Sequence, residues 1–506
     1  MLPRLLLVAL AALPLAMPCT GAAALRPPEE AEPAVAVPAT SAGKQLRWVL
    51  RALSGENEGE TAADVAGHFT DLFLESITAE DVIGELTSIR NEVFKQKKVR
   101  AVMVNEGERD DTLTAVIAAK SLKRYLSVFI IVDDKTGKIA GLRFEPAGGE
   151  GGGETPTRGG SWDEMDAAME EMGGDVSFGC YEIVPRDKAA PAGELVLMDI
   201  AAKNEHRALA VGSTFKVYVL GALAEDAAAG KVKWDEELAI EERLRSLPSG
   251  TMQLMPAGAK APVETFALNM ISISDNTATD HLLARLGRGR VEAYTNAMND
   301  NVVKNTPFLS TREVFVLKLC EDRALADAYA VADDAAQRAM LDVGGALHGL
   351  SPDLEQASEW GEPRMIESVE WFASAKQLCT AFVRLRQLEQ HPGNGPLAKV
   401  MRANPGLALD TTIWKSVAFK GGSEPGVLNM TWLLERDDGR WYTFSVGQND
   451  RKAAIDEDEF NRLCYRGLAI LADDGRAPEP APPPPPVKDP FMDTGDEPKV
   501  PVDDGT

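Results

Sequence analysis

A glycine-rich segment near the middle of the chain restricts the possible folds, because it divides the 506 residues into two parts. This segment, residues 147–160, reads AGGEGGGETPTRGG, which is typical of a linker. It has neither the Gly-Lys-Ser/Thr ending nor the preceding strand that a phosphate-binding loop requires. Since 44% of the residues are hydrophobic, the sequence on either side is predicted to fold as two domains, 46–146 and 161–473.

The two ends of the chain differ in composition from these domains. Residues 1–24 combine Arg4, an apolar run and small residues that suit cleavage, which predicts a signal peptide. Residues 25–45 and 474–506 are rich in proline, alanine and acidic side chains, which predicts a disordered linker and a disordered tail. The protein is therefore expected to be secreted or periplasmic.

Charge and residue spacing exclude several classes of ligand. The formal net charge of −25 disfavours nucleic acid and anionic membrane surfaces as partners, so a small soluble substrate is expected. The 5 histidines and 5 cysteines show no spacing typical of a metal site. No metal and no other cofactor are therefore predicted. The sequence leaves the oligomeric state and any disulfide pairing open.

Residues 46–146 carry helical patterns followed by strand patterns. Apolar residues recur at spacings of three and four in TAADVAGHFTDLFLESI and AEDVIGELTSIRNEVFKQ, which predicts two helices. About four apolar runs follow, separated by turn residues, and they predict an antiparallel sheet with the helices on one face. This order resembles the cystatin-like and steroid-isomerase-like α+β folds. Because no convergent acid, base or metal set is present, the predicted role is binding or scaffolding.

The segment GSTFKVYVLGAL places a serine and a lysine three positions apart at the start of an apolar stretch. If Ser213 lies at the N-terminus of a helix, Lys216 lies one turn later on the same face, within reach of the hydroxyl. Burial among apolar residues would lower the pKa of Lys216, so that its amine can take the proton of Ser213. Taken alone, however, the pattern favours the capped start of an ordinary buried helix.

Two further motifs follow in order and change that interpretation. In MISISDNTATDHLL, Ser274 can pass a proton to a leaving group, and Asn276 can donate its amide to a substrate carbonyl. In SVAFKGGSEPG, Lys420 offers a fixed positive charge for a substrate carboxylate. The backbone N–H groups of Ser213 and Ser423 would then form an oxyanion hole.

The ordered set Ser-x-x-Lys, Ser-Asp-Asn and Lys-Gly-Gly-Ser resembles the class A β-lactamase and penicillin-binding-protein superfamily. The resemblance covers residues 161 to about 473, and stretches such as LPSG and NTPFLSTRE are similar to two-domain serine hydrolases of clavulanic acid gene clusters. It implies an α+β domain with a five-stranded antiparallel sheet and a helical lobe. It also implies a role for each residue of the site. Ser213 is the nucleophile, and Lys216 and Ser274 handle protons. The residues that bind substrate are Asn276, Lys420 and Ser423.

Two departures from the family pattern bear on turnover. Gly421 stands where the family usually carries threonine or serine, which removes one hydroxyl near the substrate carboxylate. In class A enzymes a loop glutamate activates the deacylating water, but here Glu292 belongs to an earlier helix and Glu313 belongs to a helix capped by Ser310. We therefore expect a β-lactam or an ester to acylate the serine, and the acyl-enzyme to hydrolyse slowly. A D-Ala-D-Ala peptidase and a β-lactam-binding protein without turnover are the alternative interpretations.

Overall fold

The computed structural model describes residues 36–474 apart from several gaps. The gaps are residues 57–60, 107–111, 120–124, 134, 147–159, 188–192, 248, 251, 300–304, 320–322, 353–359, 408 and 411. The predicted signal peptide and nearly all of the predicted linker at 147–160 and tail at 474–506 lie outside the described residues. Within those residues, no helix combines the length and the apolar character needed to cross a membrane.

The N-terminal domain begins with helices, one of which starts earlier than the predicted boundary. Thr40 lies inside the predicted linker 25–45, yet its side chain accepts a hydrogen bond from the Gly43 backbone N–H and caps the first helix. The helices are α1 (Ser41–Ser54), α2 (Ala62–His68), α3 (Asp71–Ser76) and α4 (Ala79–Ser88), which a π-helical turn, Ile89–Val93, continues.

The prediction of one helix over TAADVAGHFTDLFLESI is wrong. The chain becomes extended at Phe69, which forms a bridge to Ile139 of the sheet. Thr70 then caps a new helix by accepting a hydrogen bond from the backbone N–H of Phe73. Apolar spacing alone missed this break, because Phe69 and Phe73 are both buried and so continue the helical pattern of the sequence.

A sheet of four antiparallel strands, counted over the described residues, completes the N-terminal domain. Its strands pair in the order β1-β2-β3-β4. Buried residues of the sheet, such as Ile117 and Val128, share one core with Leu46, Val49 and Leu53 of α1. The likeness to cystatin-like or steroid-isomerase-like folds stays a prediction. The strands are β1 (Val99–Glu106), β2 (Thr112–Ala119), β3 (Tyr125–Val132) and β4 (Ile139–Pro146).

The C-terminal domain contains a second sheet, with five strands in the described part of the chain. Every neighbouring pair is antiparallel, and the order β11-β12-β13-β5-β6 joins strands from both ends of the domain, as predicted. These strands are β5 (Asp175–Pro185), β6 (Leu195–Lys203), β11 (Trp414–Glu424), β12 (Val427–Arg436) and β13 (Trp441–Asn449). Two short pairs join β7 (Leu209–Ala210) to β10 (Phe372–Ala373), and β8 (Glu237–Ala239) to β9 (Lys260–Pro262).

Helices cover both faces of this sheet. Along β12, Trp432 and Leu434 share a core with Met165 and Phe460, while Leu433 between them belongs to the core of the helical lobe, as the alternation of a strand requires. The three predicted motifs come together between the lobe and the sheet, because Lys216 contacts Ser213 and Ser274, and Lys420 contacts Ser274. The helices are α5 (Trp162–Met172), α6 (Lys216–Ala228), α7 (Val263–Ser272), α8 (Asn276–Leu286), α9 (Arg288–Met298), α10 (Thr311–Leu319), α11 (Arg323–Val331), α12 (Asp334–Leu341), α13 (Ala375–Leu388), α14 (Leu397–Met401) and α15 (Glu457–Asp473).

The packing predicts how the C-terminal domain responds to a large-to-small substitution. Phe444 is fully buried, and its ring lies 5.9 Å from that of Trp432 and 6.2 Å from that of Trp162. We expect Phe444→Ala to lower the free energy of unfolding by about 3–5 kcal/mol, because it leaves a cavity between the sheet and its helices. Val343→Ala, at a side chain that is 88% exposed, is the control and is expected to stay within about 0.5 kcal/mol of wild type. Urea unfolding followed by tryptophan fluorescence measures both, and equal effects would contradict this packing.

Candidate active site

The serine and lysine of the first motif lie at the junction of a short turn and α6. Gly212–Phe215 forms a 3-10 turn, and α6 follows directly from Lys216. This arrangement places Lys216 Nζ 2.7 Å from Ser213 Oγ. Ser213 is half-buried, while Lys216 is fully buried. The predicted contact across one helical turn is therefore present.

Lys216 lies at the centre of a group of oxygen atoms. Besides Ser213, its Nζ contacts Ser274 Oγ at 3.1 Å and Asn276 Oδ1 at 2.8 Å. Burial lowers the pKa of Lys216 to about 7, and the negative charges of Asp275 and Asp280 oppose that change only in part. An ordinary lysine amine titrates near 10.5, so this amine is neutral in a much larger fraction of molecules at neutral pH.

The second motif forms the short connection between α7 and α8. Ser274 has a φ of +60°, a left-handed conformation that residues other than glycine adopt only where the surroundings impose it. Asp275 caps α8 by accepting from the Ala278 backbone N–H at 2.7 Å, and it also accepts from the Met252 backbone N–H at 2.8 Å. The cap fixes the turn so that the side chains of Ser274 and Asn276 both reach Lys216.

The neighbouring residues Leu247 and Ser249, whose role was not predicted from the sequence, hold this connection in place. Ser249 Oγ donates to the Ser274 carbonyl at 2.8 Å, and the Asn276 backbone N–H donates to the Ser249 carbonyl at 3.0 Å. Asn276 Nδ2 donates to the Leu247 carbonyl at 3.2 Å. One of the two amide hydrogens of Asn276 is thus used inside the protein. The LPSG match was the only sequence signal for Leu247 and Ser249.

The third motif brings a second lysine to the same serine. Lys420 is buried on β11, and its Nζ donates to Ser274 Oγ at 3.1 Å and to the Gly421 carbonyl at 2.6 Å. Ser274 Oγ therefore lies between the amines of Lys216 and Lys420, at 3.1 Å from each. A hydroxyl in this position can pass a proton while a fixed positive charge stabilises its oxygen.

β11 runs directly against the turn that carries Ser213. A Cβ atom on Gly422 would lie 2.4 Å from Ser213 N and 2.2 Å from the Val211 carbonyl oxygen, so only glycine fits there. A Cβ on Gly212 would lie 3.1 Å from Ser423 N. The backbone nitrogens of Ser213 and Ser423, the two predicted oxyanion donors, thus belong to segments in close contact. The Ser423 side chain itself is exposed.

The two glutamates considered in the sequence analysis both make structural contacts. Glu292 accepts from the Phe308 backbone N–H at 2.9 Å and from Arg338 at 2.5 Å. Glu313 forms a capping box with Ser310, as predicted, because each backbone N–H donates to the side chain of the other residue. Glu313 also pairs with Arg288 at 2.6 Å.

Comparison with known proteins identifies the C-terminal domain. The sequence model described as the β-lactamase enzyme family matches residues 195–452, about half of the chain. A second model, described as the ORF 12 gene product N-terminal, matches residues 37–136. The chain therefore belongs to the β-lactamase enzyme family, and the resemblance stated from its three motifs is confirmed. No curated protein matches the chain.

Solved structures similar to this chain include β-lactamases and a penicillin-binding protein. A β-lactamase from Sphaerobacter thermophilus is 16% identical, with a TM-score of 0.43, and the match covers 64% of this chain and 99% of that one. A class A β-lactamase from Mycobacterium abscessus is 14% identical, with a TM-score of 0.41, over 61% of this chain and 98% of that one. The structure of PBP-A is 16% identical, with a TM-score of 0.39, over 61% and 93% of the two chains.

The close contact at Gly422 predicts that even one added methyl group disrupts the site. If a penicillin acylates Ser213, we expect Gly422→Ala to lower the rate of that reaction about 100-fold or more, because the strand and the turn must separate. Gly289→Ala is the matched control, since a Cβ at that helical glycine meets nothing within 4 Å. The measurement is the rate of adduct formation with a fluorescent penicillin, normalised to folded protein. Wild-type rates in the Gly422→Ala variant would contradict the contact.

Proposed function

We propose that this protein is a serine hydrolase of the acyl-enzyme type, and that a β-lactam or an ester acylates Ser213. The observation that carries the proposal is the 2.7 Å contact between Ser213 Oγ and the amine of Lys216, which is buried and has a pKa of about 7. A serine hydroxyl is a weak nucleophile unless a base takes its proton, and a neutral amine at this distance is such a base.

The three oxygen contacts of Lys216 Nζ are compatible with a neutral amine as well as with a protonated one. A neutral amine has two N–H donors and one lone pair, whereas a protonated amine has only donors. In the neutral form that we propose, Ser274 Oγ and Asn276 Oδ1 accept the two N–H groups, and the lone pair is then available to the Ser213 hydroxyl. Ser213 therefore donates its proton to Lys216 as its oxygen bonds to the carbonyl carbon of the substrate.

The negative oxygen formed in this step needs hydrogen-bond donors that are already in place. The backbone N–H groups of Ser213 and Ser423 are the donors in our proposal, because Gly212 and Gly422 allow their segments to approach so closely. Fixed donors of this kind favour the tetrahedral intermediate over the bound substrate, and so they increase the rate of acylation.

Ser274 completes the acylation step by returning the proton. As the C–N bond of a β-lactam or the C–O bond of an ester breaks, Ser274 donates its hydroxyl proton to the leaving atom and receives a proton from Lys216. Lys420 donates to Ser274 Oγ. In our proposal its positive charge attracts the substrate carboxylate, with Ser274 lying between the two groups. The exposed Ser423 is the residue that we assign to direct contact with that carboxylate, and the second amide hydrogen of Asn276 is assigned to the substrate carbonyl.

We propose that the second half of the cycle is slow. Hydrolysis of the acyl-enzyme requires a base that activates water, and the absence of such a base lowers the rate by about 10²- to 10⁴-fold. The contacts of Glu292 and Glu313 support this proposal, since both carboxylates already pair with arginine side chains. Our proposal that the protein is exported rests on residues 1–24 alone.

Intact-mass spectrometry tests the proposed function. After incubation with penicillin or nitrocefin, we expect wild-type protein to gain the mass of one ring-opened β-lactam and to keep it for many minutes. Ser213→Ala should gain no mass, because the hydroxyl that is expected to form the ester has been removed. Release of D-alanine from a D-Ala-D-Ala peptide would instead support the peptidase alternative. Neither adduct nor hydrolysis with any of these probes would contradict the proposal, and fast turnover would contradict its slow second step.

A further inference from the structure

A buried group of one lysine and two glutamates lies beside the candidate active site. Lys318 of α10 donates to Glu370 Oε1 at 2.5 Å and also to Glu424, the last residue of β11. The side chains of Lys318 and Glu370 are fully buried, and that of Glu424 is 7% exposed. We call Lys318, Glu370 and Glu424 the buried triad. The sequence assigned no role to any of the three residues, although Glu424 lies within the SVAFKGGSEPG segment.

The charges of the buried triad compensate one another. Burial and then the neighbouring charge of Glu370 raise the pKa of Glu424 well above its ordinary value. Burial alone would lower the pKa of Lys318, but the charges of Glu370 and Glu424 raise it overall. Such a group is rigid, because removing one partner leaves a buried charge unpaired.

One contact of the buried triad involves the residue next to Ser423. Glu424 directly follows Ser423 on β11. Ser423 pairs with Leu428 of β12, and Glu424 pairs with Val427. The Glu424 side chain is fixed by Lys318, which is 106 positions away on α10. The position of the last peptide units of β11 is therefore set from the helical lobe as well as from the sheet.

Another set of contacts connects the buried triad to the turn that carries Ser213. Glu370 Oε2 accepts from the Trp371 backbone N–H at 3.1 Å, and the Trp371 carbonyl accepts from the Val211 backbone N–H at 3.0 Å. The Trp371 ring stacks on the Phe215 ring with centroids 3.7 Å apart and planes at 15°. Val211 and Phe215 lie two residues before and two residues after Ser213, so Trp371 holds both sides of the nucleophile.

We propose that the buried triad fixes the distance between the two oxyanion donors, Ser213 N and Ser423 N, and that Glu424 is a positioning residue for acylation. The expected effect on acylation rests on the proposed function. The claim that the buried triad sets the distance between the two nitrogens does not. Through Lys318, a single buried group is connected to both segments that carry a donor. A displacement of about 1 Å between groups that act together can reduce a rate about 100-fold.

Two substitutions at Glu424 separate positioning from folding. Glu424→Leu removes the contact with Lys318, whereas Glu424→Gln keeps an oxygen acceptor of the same shape and resembles the protonated acid. We expect Glu424→Leu to lower the limiting acylation rate constant about 100-fold per folded molecule, while the dissociation constant for nitrocefin changes less than about twofold. Glu424→Gln should retain most of the rate. Stopped-flow kinetics supply both constants, and thermal melts supply the folded fraction.

Three results would overturn the inference. These are a wild-type limiting rate in folded Glu424→Leu, a loss confined to nitrocefin binding, and a loss confined to hydrolysis of the acyl-enzyme. A crystal structure of Glu424→Leu without substrate provides the independent test, because the inference requires the separation of Ser213 N and Ser423 N to change. If wild-type protein forms no adduct with any probe, the proposed function fails. The geometric part of the inference is then tested by the crystal structure alone: it holds if the distance between Ser213 N and Ser423 N changes in Glu424→Leu, and fails if that distance is unchanged.

Discussion

Burial of the Lys216 amine is the interaction on which the account depends. A lysine in water holds its proton far above neutral pH, and removal from water makes the neutral form accessible to chemistry. In this protein the apolar helix α6 buries the lysine side chain, while Ser213, Ser274 and Asn276 surround its amine with oxygen atoms. The stability of the helical lobe therefore maintains a group that would be inactive at the surface.

The remainder of the C-terminal domain brings distant segments to that amine. The turn before α6 supplies Ser213 and the start of α6 supplies Lys216. The connection between α7 and α8 supplies Ser274, the start of α8 supplies Asn276, and β11 supplies Lys420. Glycine at two positions allows the strand and the turn to touch. A site built from three segments forms only when sheet and lobe are packed together, so stability and reactivity are coupled in this domain.

The sequence predicted those parts of the structure that local patterns encode. The spacing of Ser213 and Lys216 follows from helical geometry, and the capping box at Glu313 can be recognised from residue types. The sequence did not predict the loop that holds Ser274 or the buried triad. Lys318 lies 52 positions from Glu370 and 106 from Glu424, and contacts over such distances leave no periodic pattern in one sequence. The N-terminal break at Phe69 was missed for the related reason that tertiary pairing overrides helical spacing.

A direct titration of Lys216 tests the central claim. Nuclear magnetic resonance of the lysine ε-carbons, with assignment by a Lys216→Met variant, reports the protonation of this one amine as pH changes. The account predicts a midpoint of about 7 for Lys216. A midpoint near the ordinary lysine value of about 10.4 would show that the amine is protonated at neutral pH and cannot accept the proton of Ser213.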